Sequence, residues 1–470
     1  MTSLLDGCTP WPEDFVDRYW AAGHWRGTTL DSLLRGWSLE HGPRTALVAR
    51  GTRLTYAALN RRVDRMAAGF RLLALRPGQR VVVQLPNVPE FVVTVFALMR
   101  AGAVPVLCPV SHRAPEVSHL VRVAQAVGYV GPSAYEGFDH TAMAADIAAR
   151  DPFLRRVFTL QAPDTASPYG GYTTDPSGCH YFPLDSVDAP PAPALPPSAG
   201  QVAFFLLSAR TDGGPPLLVP RTHNDYAHQA GACAEAVSLT GDDVYLAAPP
   251  AGSGFALGGP GVIGTLSVGG TVVLAENPDP AACLGEIARE RVTVTSLAPA
   301  AARRWLGALE ARRVSAAGLR SLRLVQIGGD APAHPQDALR LASALGCGVQ
   351  PVYGPAEGPI VLAPPVGPDG AVPAAQGRPL SPDDEIRIVD ADGKDVPDGE
   401  SGELLARGPA TVRGYYREPE HTARSFTGDG FFRTGALAHR TAGGGLAVTG
   451  LLRIGSGGVP ERFGPGRFGG

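Results

Sequence analysis

Short apolar runs rich in β-branched residues alternate with helical patterns through the first two-thirds of the chain. The apolar runs predict strands at 80–85, 104–107, 271–274, 292–295 and 322–326. The segments with helical periodicity predict helices at 90–100, 280–290 and 299–309. Alternation of this kind is typical of α/β layering, in which helices cover a mostly parallel sheet. We therefore predict two sheets with flanking helices.

Three segments depart from this pattern. Residues 161–180 are rich in Gly, Thr, Pro and Ser, and residues 188–200 carry five prolines, so both are predicted to be surface linkers. From about residue 377 the apolar runs become short and are separated by Asp-Gly and Gly-Glu turns, as at 385–389 and 402–406. This last pattern predicts a small β-barrel or sheet module.

Composition narrows the class of protein further. An apolar content of 44% with 18% charged residues is that of a globular chain, and a net charge of −3 gives no electrostatic reason to expect nucleic acid or an anionic membrane as a partner. No apolar run approaches the length of a membrane span, so a cytoplasmic protein is expected. The six cysteines are widely spaced and lack a Cys-x-x-Cys pair, so neither a zinc site nor a disulfide framework is predicted. Lys394 is the only lysine.

Two polar motifs stand out within the α/β region. They are Pro-Arg-Thr-His-Asn-Asp-Tyr at 220–226 and Val-Tyr-Gly-Pro-Ala-Glu-Gly at 352–358. Shorter motifs accompany them, in the same order along the chain, at 11–13, 84–87, 269–275, 414–416 and 432–435. Together they resemble the stand-alone aryl-acid AMP ligases of the adenylate-forming superfamily, such as those that activate 2,3-dihydroxybenzoate and salicylate for siderophores.

The resemblance implies a layered αβαβα body made of two α/β subdomains, here expected at 1–365, followed by a β-barrel subdomain at 366–447. A hinge and a mobile C-terminal domain follow in the family. Residues 448–470 are rich in Gly, Pro and Arg and are interpreted as a remnant of that hinge, with the mobile domain expected to be absent.

The ATP side of the resemblance is altered. The family's Ser/Thr/Gly-rich phosphate loop ends in Pro-Lys, whereas this chain has Ser208, Arg210, Thr211 and Asp212 and no lysine in the loop. An aspartate near a triphosphate repels it, and a lost charge-assisted contact costs about 1.5–3 kcal/mol. Alternatively, Arg210 supplies the missing charge.

Further differences lie at the family's other ATP positions. Ala436 replaces the acid that grips the ribose hydroxyls, and the histidine of the family's Leu-Pro-x-x-His-Asn segment is missing from 246–251. Leu451 follows Gly450 where Gly-Arg introduces the hinge, and the catalytic lysine belongs to the domain expected to be absent. Because these changes concentrate at ATP positions, the sequence predicts that ATP-dependent adenylation is lost.

The aryl-acid side is better preserved. By resemblance, Asn224 would hydrogen-bond an ortho hydroxyl of the substrate, with His223 and Tyr226 walling the ring and the bulky Gln229 in place of a small polar residue. Asn224 also fits the alternative role of a helix N-cap. A nucleophilic pair of His228 and Cys233 is disfavoured, since no third residue orients it.

The second motif and the glycines before it complete the expected site. Gly328 and Gly329 are consistent with a flat ligand lying against backbone, and Tyr353 and Gly354 are expected to contact substrate. Glu357 corresponds to the family's magnesium-associated carboxylate. No metal or other cofactor is expected unless the ancestral activity survives, in which case Mg-ATP would be used and Glu357 would be a residual catalytic group rather than a relic.

Three functions remain open from the sequence. The favoured one is a degenerate homologue that keeps a pocket for an aromatic acid or aroyl derivative and serves siderophore-like or other aromatic natural-product biosynthesis. The second is a working aryl-acid AMP ligase. The third is a docking partner of an aryl carrier protein or of a paralogous ligase.

Overall fold

The computed structural model describes residues 4–161, 172–193, 197–210, 213–311, 313, 318–370, 377–454 and 460–461. Thr211 and Asp212, two of the predicted phosphate-loop residues, lie outside these ranges.

Most helices of the described chain begin at a proline or directly after a polar residue whose side chain caps the first turn. They are α1 (Glu13–Ala21), α2 (Leu30–His41), α3 (Tyr56–Leu72), α4 (Pro89–Arg100), α5 (Ala114–Ala124), α6 (His140–Arg150), α7 (His223–Ala236), α8 (Gly254–Gly258), α9 (Gly261–Ser267), α10 (Pro280–Glu290), α11 (Pro299–Glu310), α12 (Pro335–Leu345) and α13 (Pro419–Ser425).

The strands are mostly short, and the longest has nine residues. They are β1 (Thr45–Ala49), β2 (Thr52–Thr55), β3 (Arg80–Val83), β4 (Val104–Leu107), β5 (Gly128–Pro132), β6 (Ala134–Tyr135), β7 (Phe138–Asp139), β8 (Arg156–Leu160), β9 (Thr173–Thr174), β10 (His180–Pro183), β11 (Val202–Ser208), β12 (Leu217–Thr222), β13 (Val244–Ala247), β14 (Thr271–Leu274), β15 (Val294–Leu297), β16 (Leu324–Gly329), β17 (Gly348–Tyr353), β18 (Val361–Leu362), β19 (Arg378–Pro379), β20 (Glu385–Val389), β21 (Gly402–Arg407), β22 (Phe432–Arg440), β23 (Leu446–Leu451), β24 (Arg453–Ile454) and β25 (Pro460–Glu461).

Two large sheets form the body. The first has nine strands in the order β19-β18-β17-β16-β15-β13-β14-β1-β2, and the second has eight in the order β12-β11-β4-β3-β5-β8-β10-β9. The central strands of both sheets run parallel, whereas the edge strands β2 and β12, and β18 next to the other edge of the first sheet, pair antiparallel. The first sheet includes β1 from near the N-terminus, which pairs in parallel with β14.

Helices and sheets alternate in five layers, and three apolar cores hold these layers together. The largest core packs α2, α3, α4, α7 and α9 between the two sheets. A second core packs α10, α11 and α12 on the outer face of the nine-stranded sheet, and a third packs α5 and α6 on the outer face of the eight-stranded sheet. The predicted αβαβα body is therefore confirmed, because nearly continuous apolar strands need helices on both faces.

The C-terminal module is a four-stranded antiparallel sheet in the order β20-β21-β22-β23. Within the described residues its edge strands β20 and β23 do not pair, so it is an open sheet where a barrel was predicted. One apolar face of the module packs against Tyr353 and Val361 of the nine-stranded sheet. This contact covers the apolar face, while the two edge strands of the module stay apart.

The predicted elements differ from the structure in a few places. The strand predicted at 292–295 is Val294–Leu297, and the strand predicted at 322–326 is Leu324–Gly329, which takes in both glycines. Of the predicted linker at 161–180, residues 162–171 lie outside the described residues, and Thr173–Thr174 forms the edge strand β9, which pairs antiparallel with β10; β10 in turn pairs in parallel with β8. No helix of the described residues has the length and apolar character needed to cross a membrane.

Candidate functional site

Seven parallel strands from the two sheets end at one shared cleft. Strands β3, β4 and β11 of the eight-stranded sheet and β13, β14, β16 and β17 of the nine-stranded sheet all deliver their following residues to it. The cleft encloses about 380 Å³. Ligands of α/β proteins bind outside the carboxyl ends of parallel strands, so this edge is the candidate active site.

The cleft walls are mostly apolar, with a few neutral polar side chains and carboxylates among them. Leu85, Phe91 and Leu206 contribute apolar surface. Among the described residues that line the cleft, the acidic side chains are Glu136, Glu276 and Asp330, and none is lysine, arginine or histidine. Glu276 forms an ion pair with Arg50 at the rim. The lining therefore disfavours a dense negative charge unless a cation accompanies it.

Asn87 connects the two sheets at the cleft. Its side-chain Nδ2 donates to the carbonyls of Ala247 and Pro249, both at 2.9 Å, and its Oδ1 accepts from the backbone N–H of Ala251 at 2.7 Å. The side chain is buried, so these bonds are shielded from water. Sequence analysis missed this role, although a polar residue just after a buried strand was a signal for it.

Asp330 follows β16 and enters the cleft. The residue is exposed to solvent, while neighbouring protein atoms crowd its carboxylate and desolvate it in part. This desolvation, together with nearby Glu357, raises the pKa of Asp330 to about 7, although a hydrogen bond from the Ala356 backbone opposes the shift. Asp330 therefore changes charge near neutral pH.

Glu357 is buried and directly follows Ala356, which lines the cleft. Its Oε1 accepts a hydrogen bond from the Tyr415 hydroxyl at 2.7 Å. Burial, and then the charge of Glu357, raise the pKa of Tyr415 far above its ordinary value, so the phenol remains a donor. The Ser208 hydroxyl, at the end of β11, also interacts with this phenol. Tyr415 thus links Glu357 to the start of the predicted phosphate loop.

A divalent cation requires oxygen ligands, and the described residues offer no group of three or more His, Cys, Asp or Glu side chains arranged to hold one. Mg²⁺ commonly binds through one or two carboxylates together with substrate phosphates and water. The buried Glu357 carboxylate would meet that limited requirement.

Ala436 lies on β22 in the apolar contact between the small sheet and Tyr353. Its side chain is fully buried, and its backbone N–H donates to Thr434 Oγ1 at 3.1 Å. A methyl group at this position packs against neighbours but accepts no hydrogen bond. The predicted loss of the ribose contact at Ala436 remains a prediction.

The His223-Asn224 pair contacts the N-terminal segment. Asn224 Oδ1 accepts from the Gly27 N–H at 3.1 Å, and His223 Nδ1 accepts from the Leu30 N–H at 3.2 Å. Burial lowers the pKa of His223 to about 4, which keeps its ring neutral and able to accept this bond. Neither side chain is part of the cleft lining. Their substrate-binding role stays a prediction.

The N-cap of α7 is Thr222, so the alternative role of Asn224 as the N-cap is wrong. Thr222 Oγ1 accepts from the Asp225 N–H at 3.1 Å, and Asp225 Oδ2 accepts from the Thr222 N–H at 2.5 Å. This reciprocal pair is a capping box, and it places Asn224 in the first turn of the helix.

The Tyr226 and Gln229 side chains donate hydrogen bonds to backbone carbonyls of α8, beside the cleft. The Tyr226 hydroxyl donates to the Gly254 carbonyl at 3.1 Å, and Gln229 Nε2 donates to the Gly258 carbonyl at 3.3 Å. Gly254 itself lines the cleft. Both side chains are buried and already hydrogen-bonded, so they lie behind the wall; contact with a substrate is untested.

The glycines of β16 have a structural explanation. A Cβ on Gly328, whose φ is +155°, would lie 1.8 Å from the Val352 carbonyl on β17. Gly329, with φ +120°, has Phe255 as its nearest side chain. A Cβ on Gly354 would come within 3.0 Å of Ile360. Strand pairing therefore accounts for Gly328 without a ligand, and the predicted ligand contacts of these glycines are untested.

The remaining predicted residues lie in different parts of the molecule. Ser208 and Arg210 lie at and just after the end of β11. His228 packs edge-on against His24, with ring centroids 4.6 Å apart, in a separate cavity beside α7. Cys233 is fully buried, and burial raises the pKa of its thiol above its ordinary range. A reactive pair of His228 and Cys233 is therefore not favoured.

A family model described as AMP-binding enzyme matches residues 34–416. Salicyl-AMP ligase / salicyl-S-ArCP synthetase of Mycobacterium tuberculosis is 42% identical over 454 residues, covering 96% of this chain and 77% of that protein. The 2,3-dihydroxybenzoate-AMP ligase of Bacillus subtilis is 38% identical over 450 residues, covering 96% of this chain and 80% of that protein. The apo structure of MbtA from Mycobacterium smegmatis aligns with a TM-score of 0.84 at 40% identity, covering 96% of this chain and 81% of that one.

Proposed function

Since the chain belongs to the AMP-binding enzyme family, among relatives that include aryl-acid AMP ligases, we propose that it activates a planar aromatic carboxylic acid with ATP. The substrate carboxylate attacks the α-phosphorus of ATP, the bond between the α- and β-phosphates breaks, and pyrophosphate leaves. The product is an aroyl adenylate. An aryl carrier protein is the proposed acceptor of the aroyl group, and siderophore-like biosynthesis is the proposed setting.

The observation that carries this proposal is the buried Glu357, which follows the cleft residue Ala356 and is held by Tyr415, whose phenol also interacts with Ser208 at the end of β11. When bound there, Mg²⁺ would neutralise phosphate charge in a cleft whose described lining residues include no cationic side chain. Glu357 would hold the ion, Tyr415 would orient the carboxylate, and the apolar walls would exclude water from the reacting carboxyl group.

A second candidate is a relative that binds an aromatic acid or aroyl derivative without adenylating it. The fully buried Ala436 favours it, because this position offers no acceptor for a ribose. It is also favoured by Lys394 being the only lysine of the chain, since the phosphate loop then has none.

Pyrophosphate exchange separates the two candidates. The purified chain is expected to catalyse exchange dependent on ATP, Mg²⁺ and salicylate or 2,3-dihydroxybenzoate, with a KM for ATP in the millimolar range. Glu357→Ala is the matched negative control. Absence of exchange at saturating ATP, alongside a thermal shift with the same acids, would instead support the non-adenylating candidate.

Binding of the aromatic carboxylate should weaken as pH rises through 7. Asp330, whose pKa is raised to about 7, is neutral below this pH and repels an anionic ligand above it. We expect the Kd of salicylate to increase by up to about tenfold between pH 6 and 8. Titration of intrinsic fluorescence measures the change.

Asp330→Asn should abolish this pH dependence while keeping the low-pH affinity. Glu276→Gln is the control, because Glu276 is already paired with Arg50 at the rim. An unchanged pH profile in Asp330→Asn would contradict the assignment of the titration to Asp330.

A further inference from the structure

A buried arginine lies behind the cleft at the end of β12. Arg221 is only 1% exposed. Its Nε donates to Asp225 Oδ1 at 2.8 Å, and one Nη donates to the Ala356 carbonyl at 2.9 Å. The other Nη donates to Gln229 Oε1 at 2.8 Å and to the Ala410 carbonyl at 3.1 Å. The planar guanidinium therefore holds four acceptors from three parts of the chain.

The two carbonyls flank Glu357 on either side. Ala356 directly precedes Glu357 and lines the cleft. Ala410 belongs to the segment against which Gly358 packs, since a Cβ on Gly358 would lie 2.5 Å from the Ala410 carbonyl. The Val412 N–H in that segment donates to the Glu357 carbonyl at 2.9 Å. Arg221 thus fixes both segments that determine where the Glu357 carboxylate lies.

The same network reaches the opposite wall of the cleft through α7. Gln229 accepts from Arg221 and donates to the Gly258 carbonyl at 3.3 Å. Tyr226, whose ring lies 4.8 Å from the guanidinium carbon, donates to the Gly254 carbonyl at 3.1 Å. One buried cation therefore connects the loop after β17 to helix α8, and these segments bound the cleft.

We propose that Arg221 is a positioning residue for aryl-acid activation, and that it acts by locking the Glu357 loop against α8 through Ala356, Ala410 and Gln229. The inference rests on the proposed function, because Glu357 receives its role there. It also gives the motif at 220–226 a role, since Arg221 lies in that motif and positions the site from outside the cleft. A lysine at 221 would keep the charge but could not bridge four acceptors in a plane.

Arg100 provides a matched control for a buried arginine. It is 4% exposed, donates to Asp64 Oδ1 at 3.0 Å and to the Asp31 carbonyl at 2.9 Å, and does not line the cleft. Arg100→Lys should perturb stability through a similar loss of planar hydrogen bonding without changing the Glu357 loop.

The test compares Arg221→Lys with Arg100→Lys in the full chain. Arg221→Lys is expected to increase amide hydrogen exchange selectively at 352–360 and 408–413 and to lower kcat for pyrophosphate exchange by about 10²-fold. KM for the aromatic acid should change less than about twofold. Arg100→Lys should change neither the local exchange nor kcat. Equal local exchange in the two variants, or a wild-type kcat in Arg221→Lys, would overturn the proposal.

Gln229→Leu keeps the test decisive if Arg221→Lys does not fold. It removes one acceptor and the bond to Gly258 and replaces the amide by an apolar side chain of similar volume, and it should raise hydrogen exchange at 254–258 and 352–360. No change at either segment would count against the network. If the wild-type chain shows no pyrophosphate exchange, the proposed function fails, whereas the hydrogen-exchange measurements still decide the role of Arg221.

Discussion

Ala436→Asp is expected to lower the KM for ATP by about 10- to 100-fold. By family resemblance this position carries the acid that grips both ribose hydroxyls, and a charge-assisted hydrogen bond contributes about 1.5–3 kcal/mol. The fully buried alanine accepts no such bond. Steady-state pyrophosphate exchange with varied ATP, and calorimetric titration with Mg-ATP, measure the gain.

The same substitution should destabilise the chain without nucleotide. Ala436 packs in an apolar cluster with Tyr353 and Leu404, and an unpaired buried carboxylate there costs at least about 1–3 kcal/mol. ATP should restore the melting temperature of Ala436→Asp. Ala438→Asp is the control, since Ala438 is equally buried in this cluster; it should lose stability and gain no affinity. If both variants keep the wild-type KM for ATP, the position does not contact the ribose.

Glu357→Gln is expected to lower kcat by about 10²–10³-fold, because a preorganised charge near a phosphoryl group acts mainly in the transition state. Glutamine retains an oxygen that can accept the Tyr415 hydrogen bond, so stability should change little. The Mg²⁺ concentration giving half-maximal rate should rise. Both kcat and the half-maximal Mg²⁺ concentration are obtained by measuring adenylate formation at a series of Mg²⁺ concentrations, in fixed-time or coupled assays.

Tyr415→Phe separates the effect of orienting the Glu357 carboxylate from the effect of its charge. It removes the 2.7 Å hydrogen bond but leaves the Glu357 carboxylate, so its loss of kcat should be smaller than that of Glu357→Gln. Equal rates for wild type and Glu357→Gln would show that Glu357 is a relic of the family, which was the other role expected from the sequence.

The regular elements followed directly from local patterns. Strand Val104–Leu107 and helix Pro280–Glu290 begin and end where the sequence predicts, because each is a short apolar or amphipathic run bounded by Pro, Gly or a charged residue. The Leu324–Gly329 strand extends beyond its prediction. From the sequence, its final glycines are interpreted as a surface for a flat ligand, but the missing side chain of Gly328 is what allows β17 to approach closely.

The candidate site was harder to predict because its contacts join residues far apart in sequence. The resemblance indicated Glu357, but nothing local indicates that Tyr415 would reach its carboxylate. Similarly, Asn224 has a side chain suited to ligand binding, yet its oxygen accepts from Gly27, 197 positions earlier. Long-range packing decides whether a polar side chain faces a ligand or the protein, and a single sequence does not encode that choice in any short window.

The composition of the two large sheets bears on the order in which they assemble during synthesis. All strands of the eight-stranded sheet lie between Arg80 and Thr222, so they can associate once that stretch has left the ribosome. Strand β1, by contrast, needs β14, whose last residue is Leu274. One edge of β1 pairs at once with β2, but the edge at Leu47 and Val48 that pairs with β14 stays open for more than two hundred further residues, at about 5–20 residues per second. The open edge of this N-terminal strand therefore needs protection from premature association while the rest of the sheet is synthesised.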